Sequence, residues 1–307
     1  MFQIQDNPKI AIVILNWNGY GDTSECIISL QKITYDNYQI IVVDNGSDVE
    51  DFNRLKNNFP NVKVLRSDVN LGFTGGNNLG IKSSLEEKTD FILLLNNDTI
   101  VEPNFIQPLL NIFEKNPNVG IAAPQINYFT EPKKVWTEGG RISKIRGSGF
   151  AYSERFDDGK IKGDKEVTFV SGCCMLIKKE IFEKVGVFDD NFFLYVEDAD
   201  LCYRTIKAGY KIIVSHNSKI YHKVNSSTRE NLSLLPLYYV TRNRLYFASK
   251  SFPFIFIMTI FYIGFSMLIK ILYWLLNNHS KNILIIIKAF KDFFNKEMGK
   301  SDFIRFK

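Results

Sequence analysis

At 307 residues and 45% apolar content, the chain can bury a real core and is long enough for about two domains. Its net charge is only +5 and its Lys and Arg residues are scattered, which argues against a dedicated nucleic-acid binder. The cysteines Cys26, Cys173, Cys174 and Cys202 show no CxxC spacing and read as reduced, buried thiols of a cytosolic compartment.

The N-terminal "MFQIQDNPKIAIVILNW" has no basic n-region and no small-residue cleavage site, so it reads as a first strand and not as a signal peptide. Strand and helix signals then alternate. "KIAIVILNW" is a continuous apolar run, "TSECIISLQKI" has helical periodicity, and "YQIIVVDNGS" is a buried strand ending in turn residues. "DVEDFNRLKNNF" reads as helix, "VKVLRS" as a short strand, "GGNNLGIKSSLEE" as a Gly-initiated helix and "DFILLLNND" as a further buried strand. Strands that are apolar throughout and separated by helices predict an α/β, Rossmann-like, mostly parallel sheet covered on both faces. Ligands in such sheets bind beyond the carboxyl ends of the strands. Polar residues collect at those ends here: Asn16 and Asn18, Asp44 and Asn45, then Asn96, Asn97 and Asp98.

From about residue 120 the pattern loosens. "TEGGRISKIRGSGFAYSERFDDGKIKGDKE" predicts a mobile loop or irregular hairpin over the site, and "VTFVSGCCMLIKKEIFEKVGVFDD" restores strand, helix and turn. "EDADLCYRTIKAGY" predicts a helix with acids in its first turn, Arg204 and Lys207 in its last, and Gly209 as its stop. Helical phasing puts Glu197 and Asp200 on one face, sets Asp200 against Arg204 at i,i+4, and leaves Asp198 pointing elsewhere. Near the C-terminus, "FPFIFIMTIFYIGFSMLI" approaches the ~20 apolar residues of a membrane-spanning helix. After the break at "NNHSK", "NILIIIKAFKDFFNKEM" mixes apolar residues with Lys288, Lys291 and Lys296, as an amphipathic interfacial helix does. A buried helical hairpin of a soluble protein is the plain alternative. Membrane attachment, by a full span or by a re-entrant or interfacial hairpin, is the reading favoured here.

Neither common nucleotide fingerprint is present, since "NWNGYGD" and "NLGFTGGNNLG" lack GxGxxG spacing and no GxxxxGK[ST] loop occurs. Asp98 at a strand end can hold a divalent cation against a diphosphate, or can belong to an ordinary Asn/Asp turn. Asp44 can accept from a base or ribose, or cap the next helix. Gly72, Gly75 and Gly76 can offer bare amides to a ligand or permit tight packing. His222, in "IYHKVNSST", gains meaning as a ligand only if Asp98 lies nearby.

Read in order, "VILNWNGYGDTSECIISL", "IIVVDNGSD", "NLGFTGGNNLGI", "LLLNNDTIVEP", "SGCCMLIKKEIFEKVGVFDDNFFLYVEDADLCYRTIKAGY" and "IYHKVNSS" resemble the family 2 glycosyltransferases, inverting enzymes of the GT-A fold. The likeness is to their rhamnosyltransferase-like branch, over roughly residues 9 to 230. "YYVTRNRLYF" and the apolar tail look like that branch's C-terminal extension. The resemblance implies a catalytic domain over residues 1–235, with a nucleotide-sugar half to about 120 and an acceptor half beyond it, then a membrane-associated helical region over 236–307. It implies a nucleotide-sugar pocket formed by Asn16, Trp17, Asn18, Asp44, Asn45, Asn70, Gly72, Gly76, Asn77 and Asn97, with Arg242 reaching the phosphates. Asp98, the last position of the family's DxD motif, and His222 would bind Mg²⁺ or Mn²⁺. Asp198 would be the general base, with Glu197 as its neighbour and pKa tuner. One departure is that Asn96 stands where DxD has its first acid, which weakens the cation site.

The implied activity is transfer of rhamnose or another hexose from a dTDP- or UDP-linked sugar to a glycan or polyprenyl-linked acceptor. It would take place on the cytoplasmic face of the cell membrane, in cell-surface polysaccharide synthesis, with no nucleic-acid partner. The rival from another class is a non-catalytic, membrane-bound nucleotide-sugar-binding scaffold on the same fold. A sugar nucleotidyltransferase would need a Gly-rich, basic N-terminal loop, which "NWNGYGDTSE" does not supply.

Overall fold

The computed structural model of the protein describes residues 7–152, 155–224, 234–277 and 279–303. Residues 1–6, residues 225–227 at the end of the "IYHKVNSS" motif and residue 278 of the "NNHSK" break lie outside the described residues.

The first strands are β1 (Ile10–Asn16), β2 (Tyr38–Asn45), β3 (Lys63–Ser67) and β4 (Phe91–Asn96). They alternate with the helices α1 (Tyr20–Leu30), α2 (Val49–Asn58) and α3 (Gly72–Leu85). The strands pair in parallel in the order β4-β1-β2-β3. β1 and β4 are buried on both faces, which is why they read as unbroken apolar runs. Register aligns Asn16 with Asp44, Leu15 with Asn96, and Asp44 with Arg66. The polar strand ends therefore emerge together along one carboxyl edge.

β5 (Thr99–Val101), α4 (Ile106–Lys115), β6 (Val119–Tyr128) and β7 (Val135–Thr137) follow, then the separate hairpin β8 (Gly140–Ser143) and β9 (Ser148–Ala151). Next come β10 (Asp164–Val167), β11 (Cys174–Lys178), α5 (Lys179–Val185), α6 (Glu197–Lys207) and β12 (Lys211–His222). All strands but the hairpin join one sheet, ordered β10-β12-β6-β11-β4-β1-β2-β3, with β5 on β12 and β7 on β6. β11 runs antiparallel to both neighbours, so the sheet is parallel on its β3 side and mixed beyond β4.

The sequence pattern was expected to loosen from about residue 120; instead β6 is ten residues long and buried except for its last. Pro124 disguises it, because proline cannot donate to a ladder and argues against an interior strand. Its partner accommodates the gap: β12 pairs Ser215 with Pro124 but Lys219 with Gln125, so it bulges where the donor is missing.

The C-terminal helices are α7 (Leu234–Ser251), α8 (Phe256–Leu276) and α9 (Ser280–Phe294), with a 3-10 turn, Pro253–Ile255, before α8. The stretch Pro253–Leu276 is long and apolar enough to cross a membrane, with mean hydropathy 2.2 and 17% of its apolar window buried. Thr259, Ile263 and Met267 form its buried stripe, while Phe261, Phe265 and Leu276 stay exposed. α9 then returns to the body of the protein, packing Ile285 and Ala289 against Tyr238 and Tyr239. Beyond it the Gly299 amide donates to the Asn191 carbonyl (2.8 Å) and the Ser301 amide to the Tyr239 hydroxyl (3.0 Å). Both ends of the α8–α9 hairpin are thus anchored to one body.

Candidate active site

The ends of β1, β2 and β4 are joined by one hydrogen-bond network. Asn16 Nδ2 donates to Asp44 Oδ1 (3.0 Å), the Thr23 hydroxyl donates to Asn16 Oδ1 (2.7 Å), and Asn97 Nδ2 donates to that hydroxyl (2.9 Å). The Ser47 hydroxyl accepts from the Asn18 amide (2.8 Å) and from Asn16 Nδ2 (3.2 Å). Asp44 is fully buried, with Arg66 Nη1 at 3.7 Å from its Oδ2. Trp17 sits half-buried in the same turn. Thr23, Ser47 and Arg66 escape sequence reasoning. Arg66 stands at a strand end like the residues that were singled out, and only its register with Asp44 reveals it.

Asp98 follows β4, and His222 closes β12. Antiparallel pairing of β5 with β12 sets His222 opposite Thr99, and so beside Asp98. His222 Nε2 lies 3.0 Å from Asp98 Oδ1, and the Trp136 ring packs edge-on against the imidazole at 4.5 Å between centroids. Burial opposes the charged imidazolium, but neighbouring Cys173 and Asp98 outweigh it and raise His222 to about 10. No group of three or more His, Cys, Asp or Glu suited to a metal occurs among the described residues. A carboxylate oxygen and an imidazole nitrogen side by side are donor types that can serve a divalent cation, and any further ligands would have to come from elsewhere.

The acids of α6 separate as helical phasing predicts. Asp200 is fully buried and bonded to Arg204 Nε at 2.7 Å, with Lys250 Nζ at 3.0 Å. Glu197 is buried, its Oε2 without a hydrogen-bond partner, and its pKa is raised well above the ordinary value by burial and then by the charge of Asp198. Asp198 is half-buried and accepts from the Gly172 amide (3.2 Å) and the Ala199 amide (2.8 Å). Burial raises it to about 6. Desolvation lifts both carboxyls, and the two titrate as a pair in which a charge on one disfavours a charge on the other. Residues 172–173 link this acid to the end of β4 and to His222: the Gly172 amide donates to Asp198, the Cys173 carbonyl accepts from the Asn96 amide (2.9 Å), and Cys173 neighbours the His222 imidazole.

The turn before α6 is strained. Phe193, Tyr195 and Val196 have φ of 63°, 68° and 76°, each costing on the order of 1–3 kcal/mol for a residue with a side chain. Gly72, at φ 74°, is required by this turn, because a Cβ there would lie 2.4 Å from the Phe193 carbonyl oxygen. Gly72→Ala should destabilise the fold by about 2–4 kcal/mol, from left-handed strain plus overpacking. Denaturant titration checks this, and loss below about 0.5 kcal/mol would contradict the assigned contact.

Other expected pocket residues also have internal work. A Cβ on Gly76 would lie 2.3 Å from Leu15, so this glycine lets α3 pack on the sheet. Asn45 donates to Asn70 Oδ1 (3.2 Å) and the Gly72 carbonyl (3.0 Å) and accepts from the Leu71 amide (2.9 Å). Asn70 Oδ1 accepts from the Gly72 amide (2.7 Å), and Asn77 bonds back to the Phe73 carbonyl (2.8 Å). These residues shape the start of α3. The structure speaks against the phosphate reading of Arg242: it is 1% exposed, lies 5.1 Å from the ring centroids of both Tyr238 and Tyr239, and donates to the carbonyls of Glu297 and Gly299. Four of its five N–H groups are engaged within the protein, by Asn243, Tyr238, Glu297 and Gly299, which fits a structural role better than a phosphate contact.

The sequence matches the model of the family described as Glycosyl transferase family 2 over residues 11–186. It is 29% identical over 206 residues to the low-salt glycan biosynthesis hexosyltransferase Agl10 of Haloferax volcanii, covering 66% of this chain and 63% of that protein. It is 27% identical over 249 residues to the N-acetylglucosaminyl-diphospho-decaprenol L-rhamnosyltransferase of Mycobacterium tuberculosis, covering 74% and 80%. With the dTDP-rhamnosyl transferase RfbF of Shigella flexneri it shares 24% identity over 222 residues, covering 72% and 71%. Among solved structures, GalNAc-T7 crystallised with UDP, GalNAc and Mn²⁺ superposes with a TM-score of 0.63 at 16% identity. That alignment covers 80% of this chain and 48% of the other, and shows a shared GT-A architecture. The chain thus spans less than two thirds of the haloarchaeal hexosyltransferase and about half of the GalNAc-T7 chain.

Proposed function

We propose that the chain, which belongs to glycosyl transferase family 2, is a glycosyltransferase that transfers rhamnose or a related hexose, with inversion, from a dTDP- or UDP-linked donor to a polyprenyl-linked or glycan acceptor. The supporting observation is the convergence of Asp198 with the Asp98–His222 pair through residues 172–173. Asp44, Asn16 and Arg66 would receive the nucleoside at the ends of β1 to β3. Asp98 and His222 would hold Mg²⁺ or Mn²⁺, which supplies charge neutralisation to the departing diphosphate. Asp198 would take the proton of the acceptor hydroxyl as its oxygen attacks the anomeric carbon and the nucleoside diphosphate leaves. At about 6, its pKa leaves it ionised at neutral pH yet more basic than an ordinary carboxylate. Glu197, whose pKa is pushed well up, would stay protonated and keep the site from carrying two charges.

The α8–α9 hairpin would attach this body to the cytoplasmic face of a membrane, through exposed residues such as Phe261, Phe265 and Leu276. The return of α9 to Tyr238 and Asn191 supports a re-entrant or interfacial hairpin over a crossing helix, since a single crossing would carry those contacts to the far side.

The test is nucleoside diphosphate release by the purified full chain, given dTDP-rhamnose and a panel of UDP-sugars with Mn²⁺ and polyprenyl diphosphate-linked acceptors. One donor should give acceptor-dependent release. Binding of a donor without release, across the whole panel, would favour the non-catalytic scaffold.

A further inference from the structure

The strained turn that delivers Asp198 is gripped by one face of α7. Tyr239, Asn243, Tyr246 and Lys250 recur at helical spacing and all meet residues of the segment from Asp189 to Asp200. Tyr239 stacks on Phe193 (5.3 Å between centroids), Tyr246 packs edge-on against Phe192 (5.1 Å) and Lys250 pairs with Asp189 (2.8 Å). At the centre sits Asn243, fully buried. Its Nδ2 lies within hydrogen-bond distance of three carbonyls, those of Phe192 (2.8 Å), Leu194 (2.8 Å) and Tyr195 (2.9 Å), which its two N–H groups serve with one shared. Its Oδ1 accepts from Arg242 Nε at 3.2 Å, so the amide is held at both ends.

Three carbonyls converging on one point is what the succession of left-handed residues produces; the Phe192 carbonyl also accepts from the Leu194 amide (2.8 Å), while the part-buried carbonyls of Leu194 and Tyr195 rely on Asn243. An aspartate would set a carboxylate against them, and an aliphatic residue would take the Asn243 donor from the carbonyls of Leu194 and Tyr195. Asn243 lies outside every motif singled out for chemistry except as the neighbour of Arg242 in "TRN". We infer that Asn243 is a positioning residue for the transfer reaction, fixing through the carbonyls of Phe192, Leu194 and Tyr195 the backbone turn that aims Asp198. This rests on the reading of Asp198 as the general base. It also ties the aim of the base to the helix that carries the α8–α9 hairpin.

The experiment compares Asn243→Ala and Asn243→Ser with Leu109→Ala, a core truncation in α4 at a fully buried site, in the full-length chain. Folding is followed by circular dichroism and thermal melting, and dTDP and UDP affinity with Mn²⁺ by calorimetry. kcat and KM are taken from nucleoside diphosphate release with the donor identified above. Asn243→Ala should lower kcat at least tenfold while donor KM and nucleotide affinity stay within about threefold. Asn243→Ser, keeping one donor, should fall between it and wild type and is read in its place if the alanine variant does not fold. Leu109→Ala, even with an equal loss of melting temperature, should keep kcat within twofold. In an Asp198→Asn background the Asn243→Ala loss should vanish, because the group it positions is gone. Unchanged kcat in Asn243→Ala, a loss no greater than that of Leu109→Ala, or a full loss persisting beside Asp198→Asn would each overturn the inference. Wild-type turnover in Asp198→Asn alone would instead remove the base. In that case faster amide exchange across residues 192–199 in Asn243→Ala supports the hold on the turn, and unchanged exchange refutes it.

Discussion

Asp198→Asn should abolish transfer and, at neutral pH, leave the protein more stable than wild type. Loss of a general base lowers kcat by about 10²–10⁴-fold. Nucleotide affinity should persist, because Asp198 bonds to the Gly172 and Ala199 amides and to none of the Asp44 network. The stability gain follows from the direction of the pKa shift. Burial raises Asp198 to about 6 in the folded state, above its unfolded value, so the native state binds the proton more tightly. Its ionised carboxylate therefore penalises the fold fully above pH ~6, and the penalty disappears as pH falls toward ~4. Replacing it with a neutral isostere should gain about 1–3 kcal/mol at pH 7.5 and almost nothing at pH 4. The rate of the wild type should fall as pH drops through about 6, where the base takes up its proton. Glu197→Gln should cost far less activity, since burial pushes that carboxyl toward its neutral form, which glutamine mimics. Melting curves across pH and single-turnover rates check both arms. An Asp198→Asn variant that turns over normally would remove Asp198 as the base.

What could be read from the sequence was whatever local pattern determines. Fully buried parallel strands must be apolar on both faces, so β1, β2 and β4 declared themselves, and their polar ends marked the edge where ligands bind. Helical phasing likewise separated Asp198 from Glu197 and Asp200, because a single helix decides that face. Tertiary pairing hid the rest. His222 gained a partner only when β5 laid Thr99 opposite it, and Arg66 only when β3 aligned with Asp44. β6 was masked by Pro124, whose missing donor is absorbed by a bulge in a strand nearly a hundred residues away. "TRN" drew attention to its arginine, yet neighbours on a helix point about 100° apart. Arg242 turns to the C-terminal tail, and Asn243 turns to the turn before α6. The left-handed conformations of Phe193, Tyr195 and Val196 had no local signal, since aromatic and β-branched residues favour extended backbone.

Asp98→Ala should lower kcat/KM by about 10²–10³-fold and remove the response to Mn²⁺, a loss of leaving-group stabilisation of the size seen when a charge-stabilising group is deleted. The expectation rests on how few ligands the chain supplies. Asn96 stands where the family's motif has its first acid, which leaves Asp98 and His222, 3.0 Å apart, as the carboxylate–imidazole pair at the end of β4. Asp98 then carries the only formal negative charge in that pair, and a hard cation depends on it more than on the imidazole. His222→Ala should accordingly be the milder change, weakening Mn²⁺ by about tenfold while leaving turnover recoverable at high metal concentration. Asn96→Asp should act in the opposite direction, tightening Mn²⁺ by restoring a second carboxylate. Proton release supplies an independent readout. Asp98 beside His222 pushes the imidazole's pKa up, so it holds its proton more tightly than a free histidine, but an imidazole must be neutral to ligate. Mn²⁺ binding should therefore expel about one proton in wild type and none in His222→Ala, seen as a binding enthalpy that varies with the ionisation heat of the buffer. Full activity after exhaustive chelation, matched by full activity in Asp98→Ala, would show that Asp98 and His222 hold each other and no cation.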